Sequence, residues 1–387
     1  MMKSRIGLLA TEMTTPGGVQ AYMLRIAEAL SPDGSAEPWE FHCVSLNDDT
    51  ESLRRHPSLG RCASVSGASR SKWRFVLDLL ALPRLDTLIV GHLGPSPLGW
   101  FLRAIGRAER YVVVLHGIEA WQRLPWPKRW AARGADAVVA TTVYTAREFA
   151  RLNGIREDRL RVIPLCADER TRANNTDFKL NGAFKLLCVA RQAASERYKG
   201  FEMIFEALAR IPDEPTPHLN LVGAGDDQPR LRAVAAQLGV QDRVTFWGIL
   251  DDARLAAAYE DCDVFVMPSK QEGFGIVFLE AMLRGKPCIG GRARRHARGR
   301  PRTAETGFLV DLRRRGRPRA LSPRPPRRPG AAAAGWASEG RHLAAHAQFS
   351  AAAFRERWRR LVLEELGGAR LSALEPTPVG KKEGKVS

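Results

Sequence analysis

The chain has 387 residues, 44% of them hydrophobic, and a formal net charge of +18 at pH 7. That length is too great for one ordinary core and suits two domains; no stretch approaches the roughly 18 apolar residues of a spanning helix, and Met1–Ala10 does not read as a signal peptide. The charge is not a nucleic-acid-binding field, because Arg292–Arg328 holds 14 arginines against Glu305 and Asp311, a local net of +12 that leaves +6 for the other 350 residues.

Arg5–Ala10 (RIGLLA) reads as a first strand, Thr14–Gly18 (TTPGG) as a loop and Val19–Leu30 as a helix. Strand, glycine-rich loop and helix open a Rossmann-like unit. Glu40–Leu46 alternates as a second strand. Thr87–Gly91 (TLIVG) and Tyr111–Leu115 (YVVVL) are continuous β-branched runs, as parallel strands buried on both faces require. A histidine follows each, His92 and His116. A residue at the carboxyl end of such a strand points into the ligand crevice, although a lone histidine is as readily a satisfied structural residue. Between Trp100 and Arg133, five aromatic residues (Trp100, Phe101, Trp121, Trp126, Trp130) interleave with Arg103, Arg107, Arg110, Arg123, Lys128 and Arg129. That mixture suits contact with anionic lipid, or ordinary amphipathic helices with basic outer faces. Asp136–Ala140 and Thr141–Arg151 repeat strand then helix, and Arg161–Pro164 leads into a linker. The six cysteines (Cys43, Cys62, Cys166, Cys188, Cys262, Cys288) form no CxxC pair and read as reduced, mostly buried thiols of a cytoplasmic protein with no metal cluster.

Lys185–Ala190 (KLLCVA) begins a second unit. Arg191 follows at once, and Lys199–Gly200 closes the loop before the helix Phe201–Ala209, with Arg197 the alternative cation. Two fixed cations at a strand end can neutralise a diphosphate without a metal. Leu219–Val222 runs into Gly223–Asp227 (GAGDD), which is no dinucleotide fingerprint because position 228 is Gln. Val244–Gly248 reads as a strand and Ile249–Asp261 as a helix. Asp263–Met267 (DVFVM) is a short buried strand ended by Pro268 and Ser269; Gly273 and Gly275 make a tight turn, and Ile276–Leu283 is a helix stopped at Gly285. Such a turn offers free N–H groups and the positive end of the helix dipole to a phosphate. Two carboxylates bracket it, Glu272 and, about two turns along, Glu280. A carboxylate that accepts from paired hydroxyls is a natural sugar or ribose ligand.

The run EGFGIVFLE, with PS before it and GKP after it, resembles the E-x7-E signature of glycosyltransferase family 4, retaining enzymes that use nucleotide sugars. The resemblance covers roughly residues 1–291, is strongest over 185–291 and resumes near 342. It implies an α/β fold of the GT-B type: two Rossmann-like domains facing across a cleft, with 1–168 on the acceptor side and 169–348 binding the nucleotide sugar. A helix at 349–366 would cross back to the first domain ahead of a tail, 367–387. By the same resemblance Glu272 contacts the donor sugar and Glu280 the ribose hydroxyls, while Gly273, Phe274, Gly275 and Ile276 face the diphosphate. Arg191 and Lys199 donate to that diphosphate, Gly17 and Gly18 lie below it, Gly223 and Gly225 border the nucleotide, and His116 sits beside the reacting sugar. The linker departs from the family's IPNG pattern at Leu165 and Cys166.

The implied reaction moves a hexosyl group, with retention, from a GDP- or UDP-linked sugar to a hydroxyl of a glycan or lipid-linked acceptor in envelope polysaccharide or glycolipid synthesis. No essential metal, no other cofactor and no nucleic-acid partner are expected; the place is the cytoplasm, peripheral on the inner face of an anionic membrane. Three rival readings are a sugar-nucleotide epimerase or hydrolase on the same fold, a basic nucleic-acid- or lipid-binding protein, and a degenerate inactive relative.

After Gly291 the family shows GG-x-PE-x-V, where this chain reads RRHARGRP over Arg294–Pro301. With GC-rich codons, a one-base shift turns that run into GGTPEVV, and Leu312–Leu321 into FGDVDALAR. We read roughly 292–304 and 312–340 as out-of-frame translation, with Glu305–Asp311 (ETGFLVD) intact between them; a disordered basic insert is the alternative. Resequencing the gene decides, since DNA unable to encode those peptides in the shifted frame refutes the idea. Phe349–Leu363, with Phe354 and Trp358, carries an apolar stripe at helical spacing, and Glu375–Ser387 reads as a disordered tail.

Overall fold

The computed structural model describes residues 3–15, 17–34, 37–166, 177–211, 216–270, 274–291, 307–310 and 349–367. The expectations for Glu272, Gly273, the two arginine-rich stretches and the tail from 368 onward lie outside the described residues.

Seven strands, β1 (Ser4–Ala10), β2 (Trp39–Ser45), β3 (Ser64–Gly67), β4 (Leu85–Val90), β5 (Ala108–Leu115), β6 (Ala137–Ala140) and β7 (Leu160–Val162), form a first parallel sheet in the order β3-β2-β1-β4-β5-β6-β7. Helices α1 (Gly18–Leu30), α2 (Thr50–Arg55), α3 (Lys72–Ala81), α4 (Ser96–Ala104), α5 (Trp126–Gly134) and α6 (Val143–Asn153) are spaced along it. A second parallel sheet holds β8 (Phe184–Val189), β9 (Pro217–Val222), β10 (Val244–Gly248), β11 (Val264–Met267), β12 (Cys288–Gly291) and β13 (Gly307–Val310), in the order β10-β9-β8-β11-β12-β13. Its helices are α7 (Phe201–Leu208), α8 (Gln228–Gln237), α9 (Asp252–Asp261) and α10 (Ile276–Leu283). Two parallel-sheet α/β units are therefore present, as the fold expectation requires. The β-branched runs are buried on both faces, with Val112, Val113, Val114 and Leu115 all 0% exposed. Strand order reverses between β1 and β4, and again between β8 and β11. Crevices open at such switch points, beyond the carboxyl ends of the strands.

Some boundaries move for local reasons. The helix read as Ile249–Asp261 starts at Asp252, because the Asp251 side chain accepts from the Arg254 N–H and caps it. Likewise α6 starts after Thr142, whose hydroxyl accepts from the Thr145 N–H. The elements α2, β3 and α3 occupy a region where the sequence reading named none.

The last described helix, α11 (Ala351–Arg359), runs on through a π-helical turn, Arg360–Glu365. Phe354, Trp358, Leu361 and Val362 are at most 2% exposed and join the core that contains Tyr22 and Ile26 of α1. Burying such side chains contributes about 1.5–3 kcal/mol each, so packing brings the chain back to the first sheet. Asp33 collects Arg61, Arg355 and Arg359 at the rim of this contact, a half-exposed cluster worth less than the core beneath it. Five of the six cysteines are buried, Cys62 is half-buried, and all are free thiols. Among the described residues no helix is long and apolar enough to cross a membrane.

Candidate active site

The loop after β8 carries the two expected cations. Arg191 is largely exposed and pairs with Glu196. Lys199 lies at the far end, its ammonium 5.5 Å from the centre of the Tyr198 ring. What shapes this loop is the GAGDD turn after β9. Gln192 N–H donates to Ala224 O (3.0 Å), Asp227 N–H to Gln192 O (2.9 Å) and Ala194 N–H to the Asp226 carboxylate (2.8 Å). A Cβ on Gly223 would lie 2.1 Å from Ala190 O, and one on Gly225 would lie 2.2 Å from the Gln192 carbonyl. The two glycines expected to border the nucleotide thus serve a contact between loops, holding the backbone that bears Arg191. Asp227 is buried and takes a two-point hydrogen bond from Arg230 (2.7 and 2.5 Å), with Arg197 at 3.3 Å. The Arg230 hydrogen bond, ahead of its charge and that of Arg197, holds the Asp227 carboxyl below its ordinary value. Arg197, the alternative diphosphate cation, makes this pairing while its side chain stays more than half exposed.

The same loop is fastened to the segment after β11. Gly200 is left-handed (φ 84°) and passes so near Pro268 that a Cβ would sit 2.6 Å from its carbonyl oxygen; Lys270 N–H donates to Tyr198 O at 2.8 Å. Gly275, also left-handed (φ 79°), opens α10 with no side-chain cap, a conformation that suits glycine. Phe274 packs on Phe349 at 6.2 Å, and both Phe274 and Ile276 lie against the first unit's core. Their side chains are structural, so what this turn presents to a ligand is backbone. Glu280, one turn into α10, accepts a hydrogen bond from the Tyr259 hydroxyl (2.7 Å), and Arg284 donates to its main-chain carbonyl (3.1 Å).

On the first sheet, Gly17 and Gly18 begin α1 without a side-chain cap. The loop before them is held by buried Asp48, whose carboxylate accepts from Met13 N–H (2.7 Å), Thr14 N–H (3.2 Å), the Thr14 hydroxyl and the Ser45 hydroxyl (both 2.5 Å). His116, at the carboxyl end of β5, is 8% exposed. Its Nε2 donates to Gly91 O (2.7 Å), while its main-chain N–H and that of Gly117 donate to Glu119. The carbonyl partner assigns the proton to Nε2 and leaves Nδ1 an acceptor. Burial lowers the imidazole's pKa against the pull of Gly91 and Glu119, so the ring is neutral at pH 7. His92 stacks on it at 5.8 Å, and Tyr22 meets it edge-on at 5.4 Å while donating to Ile163 O.

A cleft of about 200 Å³ separates the two units here, lined by Ala21 and Arg25 of α1, Cys166 of the linker, and Asp252, Tyr259, Glu280 and Arg284. By chain position Arg191 and Lys199 follow β8, Gly275 and Glu280 follow β11, and Gly17, Gly18 and His116 follow β1 and β5 of the first sheet; of these, Glu280 lines the cleft and the other six are not among its lining residues. Among the described residues no group of three His, Cys, Asp or Glu side chains gathers as a metal site. Tyr259, Tyr22, Asp48 and Glu119 escaped the sequence reading. Only Glu119 had a local signal, its place three residues after His116. The Trp-rich stretch divides: Trp121 is buried against Tyr144 and Thr145, whereas Trp126 and Trp130 are 66% and 45% exposed and stack 6.1 Å apart.

Comparison with known proteins bears on family and fold. Residues 16–170 match the family model described as Glycosyltransferase Family 4, and residues 183–320 the one described as Glycosyl transferases group 1. The chain is 40% identical over 294 residues to the lipopolysaccharide core biosynthesis glycosyltransferase LpsE of Rhizobium meliloti, covering 72% of this chain and 82% of that one. It is 31% identical over 287 residues to a GDP-mannose-dependent alpha-(1-6)-phosphatidylinositol monomannoside mannosyltransferase of Mycolicibacterium smegmatis, covering 66% of this chain and 70% of that one. Sucrose-phosphate synthase from Thermosynechococcus elongatus superposes with a TM-score of 0.70 at 20% identity, over 94% of this chain and 100% of that one. The chain belongs to glycosyltransferase family 4, and is a hexosyltransferase on a GT-B fold.

Proposed function

We propose that the protein is a retaining transferase that moves a hexosyl group from a GDP- or UDP-linked sugar to a hydroxyl of a glycan or lipid-linked acceptor in cell-envelope or glycolipid synthesis. The observation that carries the donor half is the position of Glu280: a half-buried carboxylate on the cleft wall, in the helix that opens at the switch point of the second sheet. A ribose diol fits that carboxylate. The diphosphate lies at the uncapped start of α10, with Arg191 and Lys199 neutralising the leaving charge in place of a metal ion. Glu272 contacts the donor sugar, and Gly17 and Gly18 lie below the diphosphate. His116, neutral and with Nδ1 as acceptor, positions the reacting sugar through a hydroxyl. The acceptor class is supported by the two relatives, whose names specify a phosphatidylinositol mannoside and the lipopolysaccharide core. Trp126 and Trp130 rest on an anionic inner membrane surface beside Arg123, Lys128 and Arg129, which brings a lipid-linked acceptor to the first unit.

The test is calorimetric titration with UDP, GDP and ADP, with a chelator present, on the wild type and Glu280→Ala. One nucleotide binds in the micromolar range, and the variant loses at least about tenfold. Absence of binding by any of the three refutes the donor assignment and favours the degenerate relative.

A further inference from the structure

We propose that Tyr259 is a positioning residue for donor recognition: its hydroxyl sets the Glu280 carboxylate in the orientation that accepts the donor ribose. This rests on the donor reading above and adds a residue that touches no part of the donor.

The phenol is 1% exposed and lies in the α9 helix, 21 residues before its partner. Its ring is held on two sides, by Phe265 at 5.9 Å and by the Arg284 guanidinium at 5.4 Å. Arg284 also ties the Glu280 main chain through its carbonyl. The side chain that would meet the ribose is therefore fixed at both ends, its backbone by Arg284 and its Oε2 by Tyr259. Burial, reinforced by the Glu280 charge, raises the Tyr259 pKa well above the ordinary phenol value. The hydroxyl therefore stays protonated and acts toward the carboxylate as a donor. A carboxylate has about four acceptor positions on its two oxygens, so the phenol and a vicinal diol can be accepted together. The phenol restrains the carboxylate's last torsion, which is broad for an sp³–sp² bond, and Tyr259→Phe removes that restraint. Tyr259 and Glu280 line the same cleft, so the hydrogen bond acts at the ligand surface.

The test compares UDP and GDP with their 2′-deoxy counterparts by calorimetry, on wild type, Tyr259→Phe and Glu280→Ala. Phe keeps the ring and its packing and removes only the hydroxyl. We expect the wild type to prefer the ribonucleotide, Tyr259→Phe to lose roughly tenfold for it and little for the deoxy form, and Glu280→Ala to abolish the preference. A merely structural tyrosine lowers both affinities alike, and that result overturns the proposal, as does an unchanged preference in Tyr259→Phe while Glu280→Ala abolishes it. If Glu280→Ala itself keeps the wild-type preference, the donor reading of Glu280 falls and this inference with it.

Discussion

The contact between the GAGDD turn and the Arg191 loop gives the sharpest prediction, Gly225→Ala. The new methyl group would lie 2.2 Å from the Gln192 carbonyl carbon and oxygen and 2.7 Å from Ala193 N. Carbon contacts settle at about 3.5 Å or more, so the loops must part by roughly 1 Å. Three hydrogen bonds join them, at 3.0, 2.9 and 2.8 Å, and a parting of that size carries all three past the useful range. At about 1 kcal/mol each, the loss is roughly 3 kcal/mol. In a unit of this size that lowers Tm by about 6–12 °C. Arg191 lies in the displaced backbone, so nucleotide affinity falls by about tenfold or more. Thermal unfolding and calorimetric titration with UDP and GDP read the two effects separately. The control is Gly18→Ala, where a Cβ meets nothing within 4 Å: stability is kept, and if the donor passes over this glycine, sugar transfer falls. A Gly225→Ala protein that melts within about 1 °C of wild type would refute the contact argument. One that melts low but binds nucleotide unchanged would show that the contact does not hold Arg191 in the donor site.

Two further outcomes follow from charge and exposure. Asp227 has its carboxyl pKa depressed chiefly by Arg230, so its share of stability is full above the ordinary carboxylate value near about 3.9 and is lost as pH falls through the lower folded value. Asp227→Asn should cost about 2 kcal/mol at pH 7, and the gap in urea midpoint from wild type should narrow as pH falls below the ordinary carboxylate value; a gap independent of pH would contradict the sign. The Trp126→Ala/Trp130→Ala double variant should bind vesicles of anionic phosphatidylglycerol at least about tenfold more weakly, through lost apolar contact. Equal co-sedimentation of variant and wild type would remove the membrane surface from the proposal.

Much of this architecture was legible because its signals are local. Runs such as Tyr111–Leu115 declare buried parallel strands, and residues just past the carboxyl ends of strands, such as His116 and Arg191, fall at a crevice by topology. The apolar stripe of Phe354, Trp358 and Leu361 declared a packed helix before its place on α1 was seen. What the sequence hid is pairwise and distant. Gly225 meets Gln192 thirty-three positions away, and Tyr22 reaches the Ile163 carbonyl 141 positions on. A tyrosine on an apolar helix face reads as core; only the folded partner turns Tyr259 into a hydrogen-bond donor at the cleft. The Trp-rich stretch misled in part, because interleaving alone cannot tell that Trp121 faces Thr145 and Trp126 faces solvent.

The arginine-rich text after Gly291 can now be set against the donor side. Glu305–Asp311 carries family texture between the two arginine-rich stretches, and Gly307–Val310 within it forms β13, paired in register with β12 from Cys288↔Gly307 to Gly291↔Val310. A parallel neighbour needs a connection of about a dozen residues or more, and fifteen separate Gly291 from Gly307. The residues that continue the family pattern are thus the ones that complete the sheet. Every residue assigned here to the nucleotide, from Arg191 and Lys199 to Gly275 and Glu280, precedes Gly291. The supports of those residues, Gly223, Gly225, Asp227 and Tyr259, precede it as well. On the proposed function, the nucleotide contacts and their supports thus all precede Gly291, in the part of the second unit that carries the Glu280–Tyr259 pair and the Arg191 loop.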